Sequence, residues 1–146
     1  MIRNYETPEG TISLVDSTSK TDPVLVFTSS TTGGPILGSV TGRTNAITTI
    51  ALCNTAAPTP TNETANAVDV NIYIVRTKNG VLYPGGPVAG NLIVSSLTIP
   101  AGETVFFSEE RLVLEGGDQI WIGTSDTATG GSGAGRLSVS VSVLAV

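Results

Sequence analysis

Aliphatic residues and serines alternate strictly near the carboxyl end of the sequence, and this pattern strongly restricts the possible folds. Leu137 begins a segment with an aliphatic residue at every second position up to Val143, and serine fills each position between them. Aliphatic residues also occupy alternate positions from Val68 to Ile74. Because successive side chains of a β-strand point to opposite faces of the sheet, both segments are predicted to be strands with one buried face.

The remaining sequence continues the same pattern of short strands and turns. Turn signals separate the strands: Asn79-Gly80 suits a two-residue hairpin, and Pro100-Ala101-Gly102 and Gly116-Gly117-Asp118 suit chain reversals. No segment has a helical period. We therefore expect an all-β, antiparallel β-sandwich, and both jelly-roll and immunoglobulin-like connectivities remain open. The further strands are predicted at residues 47–53, 92–99, 104–107, 111–114 and 118–123.

Composition narrows the possible functions. The chain has no histidine, which excludes histidine-dependent catalytic sites and metal sites, and we expect neither a metal nor a cofactor. Its net charge is −5 and its seven basic residues are scattered, so nucleic-acid binding is not expected. The first residues form no apolar signal segment, and the aliphatic runs are too short to cross a membrane. Synthesis in the cytoplasm without membrane contact is therefore predicted.

Residues 1–44 differ from the rest and are predicted to form an extended N-terminal arm ahead of a β-sandwich domain at residues 45–146. The arm is rich in serine, threonine, glycine and proline. In one interpretation the arm adds two strands to its own sandwich. In the other, which we favour, it pairs with the edge of a neighbouring subunit. Its apolar run is then a candidate interface, formed by Val24, Leu25, Val26 and Phe27.

Of the side chains that could form a catalytic or metal-binding site, the carboxylates come closest to a suitable arrangement. Glu109 and Glu110 are neighbours beside a predicted strand, so their side chains point to opposite faces and do not form the facing pair of a glycosidase. Glu115 and Asp118 lack the spacing of a calcium loop. Serine nucleophiles have no histidine partner, and the Ser17–Lys20 spacing lies in the polar arm. We expect no enzymatic activity.

Two aromatic residues are predicted to point outward. Trp121 lies between Ile120 and Ile122, and Tyr73 also alternates with isoleucines. If the isoleucines face the core, both aromatic rings lie on the outer surface. They are candidates for a subunit contact, for burial under the arm, or for stacking on a sugar ring.

Several segments together resemble a known group of proteins. A Pro100-Ala101-Gly102 turn precedes one strand, and a Leu-x-Leu-x-x-Gly-Asp-x-Ile pattern at residues 112–120 precedes another. With residues 70–75 and 91–93, these features resemble small β-sandwich virion proteins of tailed bacteriophages. The resemblance covers residues 45–146 and leaves the arm unmatched. It implies a structural component of the capsid, neck or tail, usually a symmetric oligomer, with no catalytic residues.

The sequence thus leads to a non-enzymatic phage structural protein made in the host cytoplasm and located in the virion. Capsid decoration is the preferred role: a homo-oligomer, favoured as a trimer, would act as a cement on the major capsid protein, with the arms reaching neighbours. One alternative is a component attached to the neck or tail. Another is a carbohydrate-binding module on a virion or cell surface, which would use Trp121 and Tyr73.

Overall fold

Two five-stranded antiparallel sheets make up the part of the protein that the structure describes. The computed structural model describes residues 2–4, 21–29, 45–61, 65–78, 81–83, 85–108, 112–126 and 136–145. A 3₁₀ turn spans Ala89–Asn91. The strands of the described residues are β1 (Ile2–Asn4), β2 (Val24–Thr28), β3 (Asn45–Asn54), β4 (Val68–Lys78), β5 (Val81–Tyr83), β6 (Leu92–Ile99), β7 (Thr104–Phe107), β8 (Leu112–Leu114), β9 (Gln119–Asp126) and β10 (Leu137–Ala145).

The order of the strands decides between the two connectivities. One sheet, called sheet 1 here, has the order β1-β10-β3-β7, with β8 also paired to β3. Sheet 2 has β2, β9 and β4 side by side, with β6 and β5 along the other edge of β4. Among the described strands the chain changes sheet at six of the nine connections, and strands distant in sequence become neighbours. This is the order of a jelly roll, in which two Greek keys form a sandwich.

The inner faces of the two sheets form the core, as the period of two predicts. On β10, Leu137 and Val139 are buried, whereas Ser140 points to the other face and is exposed. In sheet 2 the aliphatic residues from Val68 to Ile74 are buried on the face that meets sheet 1. The predicted strand phase is therefore confirmed in both segments, and all five of the other predicted strands are present.

The described parts of the N-terminal arm belong to the chain's own sandwich. Residues 24–28 pair with β9, and residues 2–4 pair with β10. Of the two predicted arrangements, the structure has the one in which the arm adds two strands to its own sheets. The favoured arrangement, in which residues 24–27 lie on a neighbouring subunit, is not the one observed. The predicted boundary at residue 44 lies outside the described residues.

Two turns carry the chain between the sheets, and both depend on glycine. Glu103 N–H donates to Pro100 O over 3.1 Å, with Gly102 at φ +78° in the third position. Asp118 N–H donates to Glu115 O over 3.1 Å, with Gly117 at φ +93° in the same position. A positive φ at that position is typical of type II turns and favours glycine. The predicted reversals at both places are confirmed.

Candidate interaction surfaces

Residues 24–27 of β2, which are predicted to form an interface, lie partly in the core and partly on the surface. Val26 and Phe27 are buried in the core, and Val24 packs against it. A register shift between Leu25 and Phe27 turns two consecutive side chains inward, which the sequence alone does not reveal. Leu25 is 38% exposed and points away from the core. Leu25 is thus the residue of this run with a large exposed surface.

An apolar row crosses the outer face of sheet 2. Leu25 on β2 lies opposite Trp121 on β9, Trp121 lies opposite Tyr73 on β4, and Tyr73 lies opposite Leu92 on β6. Trp121 is partly buried, and its Nε1–H donates to Gln119 Oε1 over 2.9 Å. Three of the six residues predicted for an interface therefore lie side by side. Whether they contact another subunit stays a prediction.

Tyr73 is not the exposed aromatic residue that the sequence predicts. It is only 6% exposed, because large side chains flank it on both neighbouring strands and the 3₁₀ turn packs against β4. Its hydroxyl accepts a hydrogen bond from Asn71 Nδ2 over 3.2 Å. Ile120 and Ile122 do face the core, as predicted. A sugar ring needs accessible aromatic faces for stacking, and Tyr73 does not provide one.

A second surface is an apolar slot that opens between the edges of the two sheets. Its volume is about 460 Å³. Two exposed residues form its rim: Phe106 on β7 is 64% exposed and Ile93 on β6 is 52% exposed. The slot therefore leads from the solvent to the inner faces of the sandwich. The remaining lining residues are Ile47, Ile50, Ile72, Val94, Phe107, Ser108 and Leu112.

Interruptions in the strands on both sides leave the slot open. On one side, β7 pairs with residues 50–53 of β3 and β8 pairs with residues 45–47, so the ladder is broken between them. On the other side, β6 shifts register against β4, and Ser96 adopts a φ of +52°. Ser96 N–H donates to Asn71 Oδ1 over 2.8 Å, which fixes this bulge. Neither edge therefore closes over the core.

Asp118, one of the candidate carboxylates, has a structural role. It is buried, and its two oxygens accept hydrogen bonds from Thr77 N–H at 2.6 Å, Glu115 N–H at 3.0 Å and Arg76 Nη1 at 2.9 Å. These bonds tie the turn after β8 to the end of β4. Glu109 and Glu110 lie outside the described residues. Among the residues that the structure describes, no group of three or more histidine, cysteine, aspartate or glutamate side chains can hold a metal ion.

Asn54 is an important residue that the sequence analysis did not single out. It is fully buried at the end of β3, and its Nδ2 donates to Asn66 O over 2.8 Å and to Ile99 O over 3.0 Å. Its Oδ1 accepts from Ala56 N–H over 3.1 Å. The side chain thus joins sheet 1 to the start of β4 and the end of β6. The sequence does not mark the role of this residue, because both acceptors of its Nδ2 are carbonyls of other segments, and only Ala56 is a near neighbour in sequence.

Comparisons with protein-family models, with curated proteins and with solved structures find no match for this chain. In the described part of the chain, no helix has the length and apolar character needed to cross a membrane. The two surfaces, the outer row and the slot, are therefore the basis for considering function.

Proposed function

We propose that the chain is a non-enzymatic structural protein of a tailed-phage virion, and that it decorates the capsid by docking through the apolar slot. The exposed rim is the observation that carries this proposal. A single soluble domain seldom leaves large side chains such as Phe106 and Ile93 exposed beside an open core unless another molecule covers them. The resemblance of residues 45–146 to phage virion proteins supports the same role.

The jelly-roll connectivity agrees with a viral role, since viral capsid domains use it, but lectin domains use it as well. The position of the aromatic residues favours the structural role over sugar binding. The slot has direct access from solvent and is lined by aliphatic and phenylalanine side chains and one serine. Such a lining suits apolar protein side chains better than the hydroxyl groups of a sugar.

The size of the rim is consistent with an oligomer that binds many equivalent sites. Complete burial of Phe106 and Ile93 would contribute roughly 1.5–3 kcal/mol each. A sum of roughly 3–6 kcal/mol corresponds on its own to a Kd between several millimolar and a few tens of micromolar. Several slots that bind one particle together would reach a much higher avidity. We therefore keep the trimer, bound to the major capsid protein, as part of the proposal.

Co-sedimentation with capsids of the virus that encodes the chain tests the proposal. Wild-type protein should sediment with the capsids, and Phe106→Ser should lose most of this binding while its urea unfolding stays unchanged, since the side chain is largely exposed. Leu25→Ser on the outer row is the matched control and should bind as wild type. If Phe106→Ser binds like wild type, the slot is not the docking surface. If wild-type protein does not bind to the capsid at all, decoration is wrong, and electron microscopy that places it at the neck or tail would support that alternative instead.

A further inference from the structure

The hydrogen bonds of β3 show which of its main-chain groups point to β7. Asn54 N–H donates to Glu103 O over 3.0 Å on the β7 side of β3. On the other side, Thr55 N–H donates to Arg136 O over 2.7 Å, next to β10. Because the main-chain groups of a strand point to its two neighbours in turn, the even-numbered residues from 50 to 54 bond to β7 and the odd-numbered ones to β10.

The same alternation fixes the direction of the main-chain groups on β7. Val105 and Phe107 lie opposite even-numbered residues of β3, so their N–H and C=O groups point to β3. The groups of Thr104 and Phe106 point the other way, to an edge at which no described strand pairs. Within the described residues, no hydrogen bond reaches these four groups. This edge of β7 therefore offers two N–H donors and two C=O acceptors to a further strand.

A strand added at this edge would also meet the slot. Phe106 and Phe107 are consecutive, so their side chains point to opposite faces of sheet 1. Phe107 packs against the core and lines the slot, whereas Phe106 lies opposite Ala51 and is 64% exposed at the rim. Alternate side chains of an added strand would enter the slot beside Phe107, and those between them would cover Phe106. One extended chain thus accounts for both the open slot and the exposed ring.

β7 is also the regular one of the two edges that border the slot. The facing edge, β6, is interrupted by register shifts against β4. By contrast, β7 pairs with β3 without a shift, and Thr104–Phe107 contains neither a charged residue nor a proline. Bulges, charged residues and prolines protect free edges from pairing with other strands. Since β7 has none of these, its edge is suited to accept a strand.

We infer that β7 and the slot together bind an extended segment of the partner polypeptide, which adds a strand to sheet 1 and places apolar side chains at every second position in the slot. The inference rests on the proposed function, since it names how the partner is recognised at the same docking surface. Hydrogen bonds between main chains give affinity, and the apolar lining selects the side chains of the segment.

A free segment fits this edge better than a second copy of the chain does. If β7 paired with β7 of a second copy, the inward side chains of that copy would be Val105 and Phe107, which already pack against their own core. The slot would then stay empty. A fatty acid fills an apolar slot but has no N–H groups for the two free carbonyls of β7. The occupant must therefore be a polypeptide segment with both faces free, such as an extended arm or loop.

Titration of the full chain with synthetic peptides, followed by nuclear magnetic resonance, tests the inference. The probe is a peptide of about seven residues in which valine alternates with serine or threonine. When the valine side chains enter the slot, the threonine N–H groups face β7, because side chains and main-chain groups alternate together. N-methylation of the threonines should weaken binding roughly fivefold or more, whereas N-methylation of the valines should change it by less than about twofold. The amide signals of Thr104 and Phe106 should shift on binding.

Three results would overturn the inference. The first is equal affinity for the two methylated peptides, because binding would then not use the main chain. The second is tighter binding of decanoate than of the unmodified peptide, which would assign the slot to a small apolar molecule. The third is the absence of any shift in the signals of β7 at roughly millimolar peptide, and self-association of the chain in that case would assign the edge to a second copy.

Two variants at Thr104 separate the main chain from the side chain. Thr104→Pro removes one N–H group of the free edge, whereas Thr104→Val keeps it. Proline is tolerated at the first residue of an edge strand, and the ladder to β3 does not use this N–H group. Thr104→Pro should bind the unmodified peptide roughly two- to tenfold more weakly than Thr104→Val does. Equal affinities would contradict the inference, and if Thr104→Pro fails to fold, the methylated peptides test the same bonds on the wild-type chain.

The outcomes separate this inference from the proposed function. Capsid binding that requires Phe106 but is the same in Thr104→Pro and Thr104→Val would leave the proposed function in place and overturn the added strand. Peptide binding that N-methylation of the threonines abolishes, in a chain that does not bind capsids, would support the added strand and reject the virion role.

Discussion

Replacing Asp118 by alanine tests how the turn after β8 is held. The change removes the acceptor for two backbone donors, Thr77 N–H and Glu115 N–H, and for the guanidinium of Arg76. A buried donor without an acceptor costs about 1–3 kcal/mol. The Arg76 side chain is half exposed, so the ion pair adds only about 0–1 kcal/mol. Because both backbone donors are partly buried, we expect Asp118→Ala to lower the free energy of unfolding by about 2–4 kcal/mol.

Urea unfolding measures this loss, with the fluorescence of Trp121, the single tryptophan, as the signal. With a denaturant slope of about 2 kcal/mol per molar, the midpoint should fall by about 1–2 M. Arg76→Gln is the control, since it removes the ion pair and leaves both backbone donors with their acceptor. It should cost less than about 1 kcal/mol. If Arg76→Gln lowers stability as much as Asp118→Ala does, the ion pair holds the turn and the reasoning from backbone donors is refuted.

Two further predictions concern backbone conformation and strand phase. Gly117→Ala should cost about 1–2 kcal/mol more than Gly85→Ala in thermal unfolding: both glycines have a positive φ, but only the new Cβ at 117 would meet a neighbouring hydroxyl, at 2.9 Å. Equal losses would show that the close contact is relieved without cost. Val139→Asp should abolish cooperative unfolding in circular dichroism because it buries a charge, whereas Ser140→Asp should change stability by less than about 0.5 kcal/mol. Similar losses in the two variants would contradict the assigned faces of β10.

Alternation and turn chemistry predict the strands and the core because both are local properties. The period of two in β10 assigns Leu137 and Val139 to the core, and the glycines of the two inter-sheet turns mark where strands end. The sequence Asn79-Gly80 also predicts the β4–β5 hairpin, and Lys78 does pair with Val81. The face of the sheet on which a side chain lies follows from its place in the alternating pattern, so it can be predicted from the sequence.

Which strands become neighbours, and how exposed the side chains on the outer face are, do not follow from the local sequence. Alternation places Tyr73 on the outer face, but its burial depends on Trp121, Leu92 and the 3₁₀ turn, which meet it only in the folded chain. The slot depends in the same way on interruptions in two different sheets. The sequence predicts that Phe106 belongs to a strand, but no sequence signal shows that the ladder beside it is broken.

The pairing of the first two strands has a consequence for synthesis. The partners of β1 and β2 are β10 and β9, the last two strands of the described residues. Both strands therefore leave the ribosome before their partners are synthesised, and the apolar side chains of Val26 and Phe27 have no partner strand until β9 is made. The intervening strands, which centre on β3 and β4, can associate with one another earlier. We therefore expect the pairing of β1 with β10 and of β2 with β9 to form after the contacts among the intervening strands, because these two pairs join segments far apart in sequence.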